Sequence, residues 1–133
     1  MKKKDPIEEA RRYVDNARKV LRENTRIDPE TESYDDPKYV RAAGNYLWHG
    51  VLIALDAVFH VRGDRRTRVH INDYLEAIGK RDRKLLDYVD NGYMVMHLYM
   101  SYDGIQNKVV CQTGFDYANR IIDRCEVMLP KSA

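Results

Sequence analysis

Arginine, histidine and tyrosine supply most of the chemistry this chain offers, and their spacing sorts into four groups. Arg65 and His70 stand as Arg-x4-His. A guanidinium and an imidazole held together can steady a phosphate and move a proton at a 2′-hydroxyl, the chemistry of a metal-independent ribonuclease. A run with four arginines also meets that spacing by accident, and His70 serves equally as a cap for the short helix after it. Around this pair, eight basic residues (Arg62, Arg65, Arg66, Arg68, Lys80, Arg81, Arg83, Lys84) face four acidic ones between positions 62 and 84, a local charge of +4 in a chain of net +2. Such an edge attracts the phosphates of a nucleotide or a nucleic acid. A solvated loop and helix start has the same composition.

The third group is Asn45, His49, Asp56 and His60, one helical stripe at steps of four, seven and four. Asp56 and His60, one turn apart, can ligate a divalent ion with His49 two turns back and His97 facing them. Hydrogen-bonded polar residues at a helix seam make the same stripe without a metal. The fourth is Tyr93 to Tyr102, YMVMHLYMSY, three tyrosines and three methionines around His97. Tyr93, His97 and Met100 share one face, and Tyr102 closes the run. Buried hydroxyls and an imidazole need partners, so this is a polar-edged core layer or the lining of a pocket. The ligand-binding candidates are therefore Arg62, Arg65, Arg66, Arg68, Tyr93, His97 and Tyr102. No Gly-rich phosphate loop, Cys-x2-Cys pair, nucleophile elbow or His-Glu-x2-His motif is present, and no cofactor is expected.

These groups sit on helices. The longest apolar signal runs from Tyr39 to His60, where Tyr39, Ala42, Ala43, Tyr46, Leu47, Gly50, Val51, Ala54, Leu55, Val58 and Phe59 follow the helical period. Trp48, Leu52, Ile53 and Ala57 add apolar side chains on the other side, the pattern of a helix covered on more than one face. Left in water, Trp48 and Leu52 would form a patch suited to a second copy of the chain, so a homodimer is expected. Asp36-Pro37 opens this helix, as Asp5-Pro6 opens a first one with Ile7, Ala10, Val14, Ala17 and Leu21 along its seam and its end near Arg22 to Asn24. Thr25 to Asp36 reads as a loop. Ile71, Tyr74, Leu75 and Ile78 make a short amphipathic helix ended by Gly79. A long helix follows from about Lys80 through Tyr99, in which Gly92 admits a close neighbour. After a break at Ser101 to Gly104, the last helix carries Cys111, Phe115, Ala118, Ile122, Cys125 and Leu129. Nothing looks like a strand. The fold class is all-α, an antiparallel up-and-down four-helix bundle with one extra short helix.

At 133 residues, 44% hydrophobic and 33% charged, residues 1–133 make one domain of ordinary size. No apolar run approaches the roughly 20 residues that span a bilayer, so no membrane partner is expected. The N-terminal MKKKDP lacks the apolar core of a secretory signal, which gives a cytoplasmic location by default. Cys111 and Cys125, 14 positions apart on one helix and so roughly 21 Å from each other, read as buried free thiols.

In this order the segments RRYVDNARKVL, DPKYVRAAGNYLWHGVLIALDAVF, INDYLEAI, RKLLDYVDNGYMVMHLYMSYDGI and GFDYANRIID resemble an uncharacterised bacterial domain-of-unknown-function family over roughly residues 5 to 127. That family is similar to the HEPN class of helical bundles, associated with nucleotide binding in higher eukaryotes and prokaryotes. The resemblance implies a four- to five-helix bundle that commonly dimerises, found beside nucleotidyltransferases, in toxin–antitoxin pairs and in defence systems. Active ribonucleases of the class carry Arg-x4-6-His before the last helix. Here that junction reads His97-Leu98-Tyr99-Met100-Ser101-Tyr102-Asp103, without arginine, while Arg65 and His70 follow the central helix. A non-catalytic relative is implied, one that recognises a nucleotide, RNA or a protein partner. A HEPN-type ribonuclease and a small-molecule or metal-binding bundle are the alternatives.

Overall fold

Two Asp-Pro pairs set the helix starts, and the chain builds outward from them. The computed structural model describes residues 5–61 and 70–130. Helix α1 spans Pro6–Asn24, capped by the Asp5 carboxylate, which accepts from the Ile7 N–H at 2.9 Å. Proline at the first helical position loses no hydrogen bond there, and Glu8 and Glu9 suit the positive end of the helix dipole. Its buried face is Ile7, Ala10, Val14, Ala17 and Leu21, the expected seam.

The segment from Thr25 to Asp36, expected as a loop with no strand, instead folds into a small antiparallel ribbon. Strand β1 (Ile27–Asp28) pairs with β2 (Ser33–Tyr34) in the register Ile27 opposite Tyr34, and Ser33 also bridges to Asn107. The Asp28 carboxylate accepts from the Glu30 N–H at 2.8 Å, and the Glu32 N–H reaches the Asp28 carbonyl at 2.8 Å, which closes the turn. Two-residue strands are too short to show alternation, so the sequence carries no strand signal here.

Helix α2, Pro37–Phe59, is the expected central element. The Asp36 carboxylate caps it by accepting from the Lys38 N–H at 2.9 Å, and His60 ends it in the left-handed conformation, φ 53°. It packs against α1 and, as described below, against a π-helical segment and the last helix. That explains its all-round apolar surface, and it corrects the reading of Trp48: the indole is buried within the chain, 8% exposed, and offers no patch to a partner. Leu52 is half-buried against the same core.

Helix α3, Ile71–Gly79, buries Tyr74 and Ile78. Helix α4 covers Arg83–Tyr93, and its cap Asp82 accepts from the Leu85 N–H at 3.0 Å while its other oxygen takes the Arg124 guanidinium at 2.8 Å. The long helix expected from about Lys80 through Tyr99 starts at Arg83 and extends to Tyr102, into the expected break at Ser101, and from Met94 to Tyr102 it is π-helical. The Asp103 N–H reaches back five residues to the Leu98 carbonyl at 2.8 Å. In this widened turn Met96 and Met100 are both fully buried. Gly104, φ 65°, makes the turn, and α5 runs Lys108–Met128 from a cap at Asn107. Buried residues from all five helices form one apolar cluster.

Candidate functional site

The tyrosine–methionine run places its polar groups in a ring layer. Tyr93 and His97 stack at 5.2 Å between centroids, and Trp48 meets Tyr93 edge-on at 5.3 Å and His97 at 5.9 Å. α2 supplies the indole, the end of α4 supplies Tyr93, and the π segment supplies the imidazole. The His97 Nδ1 is buried without a hydrogen-bond partner among the described residues. Burial pushes the His97 pKa below its ordinary value, so the ring is neutral at pH 7. Met96 and Met100 of the same segment are fully buried, so this is a core layer with a polar edge. Tyr102 stands apart from it, 79% exposed.

The metal stripe does not converge. His49 is exposed and stacks on Tyr13 of α1 at 6.0 Å, Asp56 accepts from the Tyr74 hydroxyl at 2.9 Å, and His60 is the last residue of α2's cap. Among the described residues no three His, Cys, Asp or Glu side chains gather as a metal site.

Of the basic edge, Arg62, Arg65, Arg66 and Arg68 lie outside the described residues, and with them the partner of His70. His70 itself is the N-cap of α3, its N–H donating to the Asp73 carboxylate at 2.9 Å. Lys80 pairs with Glu76 at 3.7 Å, and Arg81 covers the Phe59 ring at 5.0 Å while donating to the Val58 carbonyl at 3.3 Å. These cations are thus occupied locally.

Cys111 and Cys125 are free and buried, as expected. Burial pushes their thiols up to about 11 and about 12, so neither is a thiolate nucleophile at neutral pH.

Two further cavities are lined by described residues. One, about 390 Å³, lies on the α1–α2 face among Tyr13, Ala42, Asn45, Tyr46 and His49. On the same helix Gly50 lets α1 approach closely; a Cβ there would stand 2.8 Å from the Ala10 carbonyl oxygen. The other, about 410 Å³, lies between the end of α1, the β ribbon and α5. Its charged lining is Arg18, Arg22 and Arg26, with Tyr34, Gln112 and Phe115 beside them. Both volumes fall in the range of small-molecule sites.

The second cavity has the chemistry of an anion site. Arg18 lies over the Phe115 ring at 4.9 Å. Arg26 is set by its backbone: Asp35, held by the Thr25 hydroxyl, accepts from the Arg26 N–H at 3.2 Å. Those two hydrogen bonds keep the Asp35 carboxyl below its usual range. Burial pushes the Tyr34 phenol up, so its hydroxyl stays protonated and able to donate. The sequence carried a signal for this site that the sequence reading passed over. Arg18, Arg22 and Arg26 recur every four residues, which puts the first two on one helix face and leads the third off its end.

Comparison with known proteins agrees on the extent of the chain's likeness. The family described as Domain of unknown function (DUF5618) matches residues 5–127. A solved structure of a protein of unknown function from Dyadobacter fermentans is 35% identical, covers 93% of this chain and 96% of its own, and superposes with a TM-score of 0.82. No curated protein matches.

Proposed function

We propose, from the premise that this chain belongs to the family DUF5618, that it is a non-catalytic binding or accessory module. Its architecture is read as an HEPN-like up-and-down four-helix bundle with one extra short helix, in one domain. It acts as a homodimer and recognises a nucleotide, a nucleic acid or a protein partner.

One observation carries the choice of binding over catalysis: the four histidines are dispersed over separate places in the fold. His49 stacks on Tyr13, His60 caps α2, His70 caps α3, and His97 sits against Trp48 and Tyr93. Acid–base cleavage of RNA needs an imidazole within hydrogen-bond reach of the 2′-hydroxyl and a cation on the phosphate at the same place. The cations of the 410 Å³ cavity have no histidine in their lining among the described residues.

The test is to incubate the purified protein with a labelled single-stranded RNA and follow both strand length and mobility. RNA left at full length, with its mobility retarded or the protein's melting temperature raised by a nucleotide, is the expected result. Cleavage that His70→Ala abolishes would replace this reading with a metal-independent ribonuclease. A stoichiometric metal in tag-free protein would replace it with a metal-binding bundle built on His49, Asp56, His60 or His97.

A further inference from the structure

We propose that the cavity between α1, the β1–β2 ribbon and α5 binds a small phosphate monoester, with Arg22 and Arg26 as its anion ligands and Arg18 as a planar platform beside them. This rests on the binding reading above and gives it a place and a ligand class. None of the described residues of the basic edge, 70–84, lines the cavity.

The charge arrangement is the first ground. Three guanidinium groups line one cavity, and among the described residues no carboxylate lines it. Like charges four residues apart on a helix repel, so the arrangement costs the fold a little. Three other arginines of the same helices are paired with carboxylates, while Arg120 lies over the Tyr88 and Tyr117 rings. Arg11 holds Asp123 and Glu126 at 3.0 Å each, Arg12 holds Glu9 at 3.4 Å, and Arg124 holds Asp82 at 2.8 Å. Arg18, Arg22 and Arg26 form no such pair among the described residues. The Arg26 charge is felt by Asp35, which lies outside the lining, and Arg22 and Arg26 offer forked donors at the cavity, the geometry that matches phosphate oxygens.

The rest of the lining selects an organic ester over a bare ion. Leu21 and Phe115 are buried apolar floor, and Ile27 is an exposed apolar lip. The Arg18 guanidinium, 4.9 Å from the Phe115 centroid, has a planar group to set against a ring of the ligand. The Gln112 amide nitrogen donates to Asp116 at 3.0 Å, which leaves its carbonyl to accept from a ligand hydroxyl, and the Tyr34 hydroxyl can donate. A dianionic phosphate on a small polar ring satisfies both halves. Two sources carry that chemistry, a free sugar phosphate and the phosphorylated end of an RNA strand.

The experiment is isothermal titration calorimetry at low salt with ribose 5-phosphate, ribose, and a trinucleotide RNA with and without a 5′-phosphate. Saturable binding of the phosphorylated compounds, with none for ribose, is expected. Arg22→Ala and Arg26→Ala are each expected to weaken it about tenfold or more, since a charged hydrogen bond contributes at least that factor. Arg18→Lys keeps the charge and loses the flat face, so it should weaken ribose 5-phosphate more than inorganic phosphate. Arg12→Ala, outside the cavity, should bind as the parent does. All four side chains are exposed, so the variants are expected to keep the parent's melting temperature. A phosphorylated trinucleotide binding tenfold tighter than ribose 5-phosphate assigns the site to RNA ends; equal affinities assign it to free metabolites. If RNA binds regardless of its 5′-phosphate and Arg22→Ala and Arg26→Ala change nothing, this site is overturned while the general binding reading stands. Silence from every compound overturns the site and reduces the general reading to a protein partner.

Discussion

His97 carries a polar atom that the fold leaves unsatisfied, and this has a consequence for stability. The buried Nδ1 has no partner among the described residues, and burial lowers the pKa of the ring. The folded chain therefore holds His97 neutral, whereas the unfolded chain protonates it at its ordinary value near 6.5. Below that pH the unfolded state binds the extra proton, so His97's contribution to stability is present above it and declines as pH falls toward the lowered folded value. Urea midpoints measured from pH 8 down to pH 5 should fall for the parent, and His97→Phe, which keeps a ring and removes both nitrogens, should flatten part of that fall. Parallel curves for the two proteins would show that the ring is not desolvated. The run around His97 was legible as a cluster of residue types; the identity of its third ring was not. Trp48 lies 49 positions away in sequence, and only the packing of α2 against the π segment brings it there.

Among the elements, those with strong local punctuation were the legible ones. α1 and α2 both start with an aspartate cap followed by proline, and both buried seams recur at helical spacing. The π segment was not legible, because its five-residue hydrogen-bond step is a backbone choice compatible with the same side chains that make an α-helix. Two glycines on neighbouring helices let it pack closely. A Cβ at Gly44 of α2 would stand 2.6 Å from the Ser101 amide nitrogen and 2.8 Å from the Met96 carbonyl oxygen, both backbone. A Cβ at Gly114 of α5 would stand 2.5 Å from the Met100 sulfur, the flexible part of a side chain. Gly44→Ala must therefore push the π segment away and should cost about 1–3 kcal/mol or more. Gly114→Ala asks only that a thioether turn aside, and it regains up to about 1 kcal/mol of helix propensity. Thermal or urea unfolding should rank Gly44→Ala well below Gly114→Ala. The reverse order would mean that the π segment yields more easily than the Met100 side chain.

At the scale of the whole molecule, the question is what the surface is for. An exposed Trp48 and Leu52 was the sequence's reason to expect a homodimer, and the chain covers Trp48 itself. The proposed dimer needs another face, and the π segment supplies one: Met94, Tyr99 and Tyr102 are 45%, 37% and 79% exposed on nine consecutive residues. Apolar side chains gathered on one segment differ from the scattered ones any surface shows, and aromatic residues with methionine are the types enriched at interfaces. A stable dimer buries about 800 Å² on each partner, so these three would form its centre, with the polar residues around them as the rim. Light scattering on the eluting protein at micromolar concentration should give twice the chain's 15.7 kDa. Because Met94 and Tyr102 are exposed, the double variant Met94→Lys, Tyr102→Asp should keep its helical circular dichroism and elute as a monomer. A parent that is already monomeric would remove the dimer from the proposal and leave the arginine-lined cavity, which one chain builds alone, as the seat of recognition.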